Sequence, residues 1–272
     1  MNGLKRRHLI SGILMLLVSG LIYAWSIISG PLRVDFPEWS ESQLGFTYTA
    51  TMLSFGIGQL LSGALSKKVS PANSIRISGL LFFVGLACAS FAHSLFGLYL
   101  FYGVFCGAAT GFVYITILSS VLSWFPEQKG LINGLMLMVF GLSSSLIGKV
   151  YQLLTPDSMG GWRVSFRYLG FLILAFYLIG SMRFSRQELQ GKSTASGERQ
   201  LRSVSPSELL RSKSFYLFYA WNICVSCAGM IVMSQSSGII GEISPQMPYA
   251  ETATIASLIF IASAFGRVSG GI

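Results

Sequence analysis

Residues 9–32 read LISGILMLLVSGLIYAWSIISGPL, an apolar stretch without a charged side chain. A helix rises ~1.5 Å per residue, so a helix of this length crosses the ~30 Å hydrocarbon core of a bilayer. Lys5, Arg6 and Arg7 precede the stretch, as basic residues precede the apolar region of a signal peptide. The stretch is longer than such a region, however, and no small-residue cleavage site follows at the expected distance. The sequence therefore predicts a first transmembrane helix.

Further apolar stretches follow along the whole chain, at residues 43–66, 74–93, 95–119, 130–153, 162–182, 215–240 and 252–272. Each is long enough to span a bilayer, and lipid offers no partner for a backbone N–H or C=O group, so each must be helical. Only 11% of the residues are charged, against about 25% in soluble domains. The sequence predicts an all-α, multi-pass membrane protein.

The basic residues indicate an orientation. If the N-terminus is cytoplasmic, most of them fall on the cytoplasmic side, and only Arg33, Lys149, Arg163 and Arg167 lie outside. Such an excess of inner Lys and Arg is typical of membrane proteins. The net charge of +9 then reflects loops beside anionic headgroups. Nucleic acid is excluded as a partner because no hydrated basic face exists; the lipid bilayer is the expected one.

A hydrophilic segment rich in Ser, Gly, Glu, Arg and Lys divides the chain. We interpret it as a cytoplasmic linker. The predicted domains are a six-helix N-terminal bundle (1–183), the linker (184–213) and the start of a C-terminal bundle with two helices (214–272). The last apolar stretch has no polar residues after it, so we expect the second bundle to be incomplete in this chain.

Glycines recur at helical spacing in two of the predicted helices. Small residues on one face let membrane helices approach closely. We therefore expect close helix packing, which also suits helices that slide or rock, at Gly103, Gly107, Gly111, Gly134, Gly141 and Gly148.

Several motifs resemble the major facilitator superfamily, and within it the oxalate/formate antiporter-like group of carboxylate transporters. The first helix contains SGLIYAWS (19–26) followed by GPL (30–32). The fourth contains GFVY (111–114), and the loop after it reads WFPEQKG (124–130). The segment LLRSKSFY (209–216) is similar to the group's entry into the seventh helix. The resemblance covers nearly the whole chain.

The resemblance implies a two-lobed fold of twelve helices, of which this chain holds the first lobe and two helices of the second. It also implies a gating signature after the second helix, of the type Gly-x-x-x-Asp-Arg. Here Gly63 is followed by Lys67 at the acidic position. Since the family's acid latches the inner gate by charge pairing, this departure puts the usual latch in doubt.

One basic residue lies deep in a predicted helix. Arg267 sits ~22 Å along a helix that begins near residue 252, past the bilayer midplane. Ionisable residues at such depth are costly and often functional. A planar guanidinium suits a carboxylate, but a snorkelling structural arginine fits the position equally well. The resemblance favours the first interpretation, because the group carries a substrate-facing arginine on helix eight. No Asp or Glu lies well inside any predicted helix.

The resemblance also implies an aromatic cavity, lined here by Tyr23, Tyr114 and Phe140. The resemblance implies a tyrosine on helix five where this chain has Phe140, so one hydroxyl donor is absent and a change in preferred anion is expected. Taken without the resemblance, each ring is better explained by ordinary packing.

The predicted function is secondary active transport of small organic anions, mono- or dicarboxylates, by alternating access in exchange or symport. Two alternatives stay open: a carrier of a neutral or cationic solute with the same fold, or a truncated, non-transporting membrane protein. No catalytic triad, metal cluster or phosphate-binding loop is visible, so we expect no enzyme activity, cofactor or metal. The expected protein is a monomer in the cell inner (plasma) membrane.

Overall fold

The computed structural model describes residues 3–155, 160–182, 184, 206–244, 246, 262, 265–267, 269 and 270. Helices dominate these ranges, which contain no β-strand, so the predicted all-α fold is confirmed. The α-helices are α1 (Gly3–Ser19), α2 (Trp25–Asp35), α3 (Glu41–Leu65), α4 (Pro71–Ala89), α5 (Leu95–Leu98), α6 (Gly107–Leu122), α7 (Lys129–Leu154), α8 (Gly161–Ser181), α9 (Pro206–Leu209) and α10 (Lys213–Ile243). The first seven predicted apolar stretches coincide with helical structure, and most of the eighth (252–272) lies outside the described residues.

Two of the predicted membrane helices contain an irregular turn. The first consists of α1, a 3₁₀ segment (Gly20–Ala24) and α2. The fourth consists of α5, a π-helical segment (Tyr99–Cys106) and α6. These segments change the number of residues per turn and so rotate the side chains that follow them. Apolar periodicity alone does not predict either interruption.

Helices α3 and α4 begin at serine N-caps. Ser40 Oγ accepts a hydrogen bond from the Gln43 N–H over 3.2 Å, while Gln43 Oε1 accepts one from the Ser40 N–H over 2.9 Å. Ser70 Oγ accepts one from the Asn73 N–H over 3.3 Å, and Pro71 occupies the first turn of α4. These caps satisfy N–H groups that have no partner within the helix.

Five described stretches are long and apolar enough to cross a membrane: Lys5–Asp35, Pro71–Ala89, Leu95–Leu122, Pro126–Tyr151 and Gly161–Ser181. Helix α3 is more polar, and its buried and exposed side chains differ in kind. Thr47, Thr51, Ser54 and Ser62 are buried, whereas its large apolar residues Leu53, Ile57, Leu60 and Leu61 are exposed. In a helix of a soluble protein, the apolar residues are buried and the polar residues are exposed. The reverse arrangement in α3 suits a surface in contact with lipid or with another apolar helix.

The first eight helices form one bundle. Helix α3 packs against α6 and the π segment, α4 packs against α8 and α6, and α1 packs against α7. Hydroxyl groups also join helices of the bundle: Ser19 Oγ on α1 lies 2.8 Å from Tyr177 Oη on α8, and Ser62 Oγ on α3 lies 2.9 Å from Thr116 Oγ1 on α6. Interhelical hydrogen bonds of this kind satisfy polar groups that have no access to water.

A carboxylate ties the end of α2 to the start of α8. Asp35 Oδ2 accepts hydrogen bonds from the Gly160 N–H and from Trp162 Nε1, each over 2.7 Å. Next to it, Arg163 Nη1 donates to the Ser90 carbonyl at the end of α4 over 2.7 Å. Its guanidinium also lies 4.4 Å from the centre of the Trp162 ring. Three helices are therefore joined at this end of the bundle.

The chain divides into two compact units, residues 1–193 with 266–272 and residues 194–265. Gly266 and Arg267 belong to the first unit, where Arg267 contacts α7. The assignment of residues 214–272 to the start of a second transmembrane bundle stays a prediction. The second unit contains α9, which lies in the predicted linker, and α10. The rest of that linker, apart from Phe184 and residues 210–213, lies outside the described residues.

Candidate functional site

The 3₁₀ segment brings Tyr23 to the surface of α7. Gly20, at the start of this segment, lies against Ser143, and a Cβ at position 20 would overlap the Ser143 hydroxyl. Only a residue without a side chain permits this approach. As a result Tyr23, half-buried, lies 5.2 Å from the ring of Phe140 on α7 in an edge-to-face arrangement.

Phe140 is the centre of a cluster of four aromatic rings. Its ring centroid lies 4.7 Å from that of Tyr114 on α6 and 5.9 Å from that of Phe55 on α3. Phe55 and Tyr114 are themselves 5.7 Å apart. The cluster thus receives one ring from each of four helical segments, Tyr23 supplying the fourth. Offset and edge-to-face pairs of this kind stabilise a fixed arrangement of rings.

Phe55 is the member that sequence reasoning missed. It is one of 20 phenylalanines in the chain, and no motif separates it from the others. Its place depends on the packing of α3 on α6: a Cβ at Gly111 would overlap the Phe55 carbonyl, so the two helices touch backbone to backbone there. The glycine spacing in α6 was the only available signal for this contact.

Arg267 lies beside this cluster, partly buried. Its Nη1 donates a hydrogen bond to the Leu137 carbonyl on α7 over 3.0 Å. Its positive charge lies within electrostatic range of Tyr23 on the 3₁₀ segment and of Tyr114 on α6. The four residues predicted to bind substrate, on positions far apart in sequence, therefore lie in one region of the first unit.

No carboxylate pairs with Arg267 within the part of the chain that the structure describes. The ion pair among those residues is the exposed one between Arg33 in the last turn of α2 and Glu41 at the start of α3, with 2.6 Å between Nη1 and Oε1. A cation held away from water without a countercharge is costly unless another group compensates it. Two tyrosine hydroxyls and a guanidinium fork, next to apolar rings, can bind an anion with planar acceptor geometry.

The predicted packing glycines occupy different environments. A Cβ at Gly107 would lie 2.5 Å from the Thr51 carbonyl oxygen, and one at Gly103 would lie 3.1 Å from the Ala50 Cβ. Gly134 on α7 is buried. Among the described atoms, a Cβ at Gly141 would meet those of the Arg267 side chain, 2.7 Å from Nη1. Gly148 faces the Ile27 side chain.

The predicted gating residues lie away from the aromatic cluster. Gly63 is exposed near the end of α3, where a Cβ would have nothing within 4 Å among the described atoms. Lys67 is exposed in the turn between α3 and α4. Among the described residues, no group of three or more His, Cys, Asp or Glu side chains is placed to hold a metal ion.

Comparison with known proteins gives a consistent result. A sequence model of the Major Facilitator Superfamily matches residues 8–272. The MFS-type transporter YhjX of Escherichia coli K12 is 26% identical over 266 residues, which are 97% of this chain and 64% of that protein. The oxalate:formate antiporter of Oxalobacter formigenes is 23% identical over 82% of this chain and 52% of that protein.

Two further matches extend the comparison. The human monocarboxylate transporter 12 is 32% identical over 132 residues, covering 48% of this chain and 24% of that protein. The solved structure of the proton:xylose symporter XylE matches 98% of this chain and 55% of its own, at 14% identity and a TM-score of 0.55. That likeness concerns the fold. The chain spans between half and two thirds of the length of the two bacterial relatives.

Proposed function

This chain belongs to the major facilitator superfamily, and we propose that it is a secondary active transporter of small organic anions, mono- or dicarboxylates. Transport proceeds by alternating access, with exchange or symport of the solute. The observation that carries the proposal is the position of Arg267, a partly buried cation beside Tyr23, Tyr114 and Phe140. The protein is a multi-pass membrane protein, as its helices and its family indicate.

The chemistry of these residues favours a carboxylate over a neutral or cationic solute. A guanidinium fork donates two parallel hydrogen bonds to a carboxylate, and a charge-assisted bond is stronger than a neutral one. A tyrosine hydroxyl can donate a further bond, while the rings exclude water and strengthen the attraction. A cationic solute would be repelled by the same arginine. The named functions of two relatives, an oxalate:formate antiporter and monocarboxylate transporters, support the same class of solute.

Close helix packing supports a rocking mechanism. Helices α3 and α6 touch through Gly107 and Gly111, with backbone against backbone. Such contacts have few interlocking side chains to separate when one helix moves along another. The gating role of Gly63 and Lys67 remains part of this proposal. Because Lys67 replaces the family's acid, we propose that the inner gate of this protein closes with another charge arrangement.

We propose a cell inner (plasma) membrane location with a cytoplasmic N-terminus. The basic residues of the predicted inner side include Lys5, Lys67, Lys68 and Lys129, and anionic headgroups attract such residues. A monomer is proposed on the basis of the family resemblance alone.

Uptake by proteoliposomes tests the function. Vesicles containing the purified protein and unlabelled oxalate should accumulate labelled oxalate or formate, and Arg267→Ala should abolish uptake while the protein stays folded. Arg33→Ala, which removes an exposed and ion-paired arginine, is the matched control and should transport normally. Uptake that persists without Arg267 would support a structural arginine and a neutral or cationic solute. Absence of uptake of any solute in the unmodified protein would favour a non-transporting membrane protein.

A further inference from the structure

The Arg267 guanidinium rests on the backbone of α7 at a single glycine. Its bond to the Leu137 carbonyl is 3.0 Å long. In an α-helix, the carbonyl of residue 137 points toward the N–H of residue 141. Gly141 therefore lies directly beside the bonded guanidinium, and a Cβ there would be 2.7 Å from Nη1 and 3.6 Å from Cζ. In proteins, a Cβ atom is essentially never closer than 3 Å to a non-bonded heavy atom of this kind.

We propose that Gly141 is a positioning residue for Arg267. The missing side chain at position 141 lets the guanidinium reach the Leu137 carbonyl and fixes it beside Tyr23 and Tyr114. This inference rests on the proposed function, since it takes Arg267 to be the anion-binding group. It gives Gly141 a role other than the helix packing that its spacing in the sequence predicts.

A comparison with other glycines distinguishes the positioning role from helix packing. A Cβ at Gly107 would press on the Thr51 backbone, and one at Gly20 would overlap the Ser143 side chain, so both serve helix contacts. At Gly141, the described atoms within 4 Å of the built Cβ all belong to Arg267. An added methyl group there displaces the arginine and leaves the contacts between described helices in place.

Anchoring the guanidinium has a consequence for affinity. Arginine carries five N–H donors in a rigid plane, and the bond to Leu137 uses one of them. A plane held by the protein loses less rotational freedom when an anion binds, which favours affinity. A methyl group at position 141 would displace the plane from this anchored position. Small displacements of a binding group cost large factors in activity.

Equilibrium binding of labelled oxalate to the purified protein tests the role through a double-mutant cycle. Gly141→Ala should weaken oxalate binding about tenfold. Arg267→Lys should also weaken it, because lysine keeps the charge but lacks the planar fork. In the Arg267→Lys background, Gly141→Ala should weaken oxalate binding by less than about twofold, because the guanidinium that the methyl group displaces is absent. Gly45→Ala, in α3 with no described atom within 4 Å of its Cβ, is the control and should bind normally.

The outcomes distinguish the positioning role of Gly141 from the proposed anion transport on which it rests. If Gly141→Ala weakens binding equally with arginine or lysine at position 267, Gly141 acts by packing and the positioning role is wrong. If Arg267→Lys leaves oxalate binding unchanged, the proposed anion site itself is wrong. Should Gly141→Ala not fold, nitrogen-15 NMR of arginine-labelled protein replaces it: slow rotation of the anion-free Arg267 guanidinium supports the anchor, and free rotation refutes it.

Discussion

The Tyr102 hydroxyl donates a hydrogen bond over 3.3 Å to the backbone carbonyl of Leu21, in the buried interior of the bundle. Tyr102 lies in the π segment and Leu21 in the 3₁₀ segment, so the bond joins the two irregular turns of the first unit. A 3₁₀ turn pairs its carbonyls less well than an α-helix does. The tyrosine therefore stabilises the interruption that brings Tyr23 to the aromatic cluster.

Replacing this hydroxyl should destabilise the fold. Tyr102→Phe removes the donor and leaves a buried carbonyl short of a partner, which costs about 0.5–1.5 kcal/mol of unfolding free energy. Tyr99→Phe is the matched control, because the Tyr99 hydroxyl bonds to the Gln43 carbonyl at an exposed site over 2.8 Å. Thermal unfolding in detergent should show a lower midpoint for Tyr102→Phe than for Tyr99→Phe. Equal midpoints would contradict a stabilising role for the interior bond.

Close packing of α3 on α6 should make position 107 intolerant of larger side chains. Gly107→Leu would drive a side chain into the Thr51 carbonyl, 2.5 Å from the first carbon atom. Overpacking of this kind costs about 1–3 kcal/mol. We expect a reduced yield of folded protein by size-exclusion chromatography. Gly56→Ala, also in a helix but with no described atom within 4 Å of its Cβ, should keep the normal yield. Normal yield and transport by Gly107→Leu would refute close contact here.

Asp35 should be required to hold the start of α8 against the end of α2. Asp35→Ala removes an acceptor from two N–H groups, those of Gly160 and of the Trp162 side chain. A hydrogen bond to a charged group contributes about 1.5–3 kcal/mol, so the unfolding midpoint should fall clearly. Asp35→Asn retains a neutral acceptor and should lose less. Glu38→Ala, at an exposed loop position, serves as control and should leave the midpoint unchanged.

Phe140 should influence which anion is preferred. Phe140→Tyr adds a hydroxyl donor to the ring that contacts both Tyr23 and Tyr114. Oxalate offers two carboxylates and formate one, so an added donor should raise the oxalate-to-formate ratio of transport rates, by about threefold to tenfold. Competition between the two labelled anions in proteoliposomes measures the ratio. Phe166→Tyr, buried against Tyr102 and Trp162, is the control and should not change it.

The proposed orientation predicts which loops react with a membrane-impermeant thiol reagent. In a background that lacks the four native cysteines, Glu38→Cys should be labelled in intact cells. Ser212→Cys, between α9 and α10, should be labelled only after the membrane is permeabilised. The reason is the excess of basic residues on the predicted inner side. Labelling of Ser212→Cys in intact cells would reverse the orientation.

The sequence determined that this is a multi-pass helical protein, because long uncharged stretches can satisfy their backbone groups in lipid only as helices. The irregular turns at Gly20–Ala24 and Tyr99–Cys106 were not predictable. They arise from contacts with other helices, which apolar periodicity does not encode.

The candidate site was likewise predicted only in part from the sequence. Motif resemblance indicated Arg267, Tyr23, Tyr114 and Phe140 as residue types suited to an anion, but not their distances. Only the tertiary structure added Phe55 and the bond from Arg267 to the Leu137 carbonyl. The place of Phe55 depends on how closely the backbones of α3 and α6 approach at Gly111, and the Arg267 bond depends on how closely its guanidinium approaches the α7 backbone at Gly141. Whether a glycine serves helix packing or positions a side chain depends on the atoms that contact it, and these are known only from the packing of the helices.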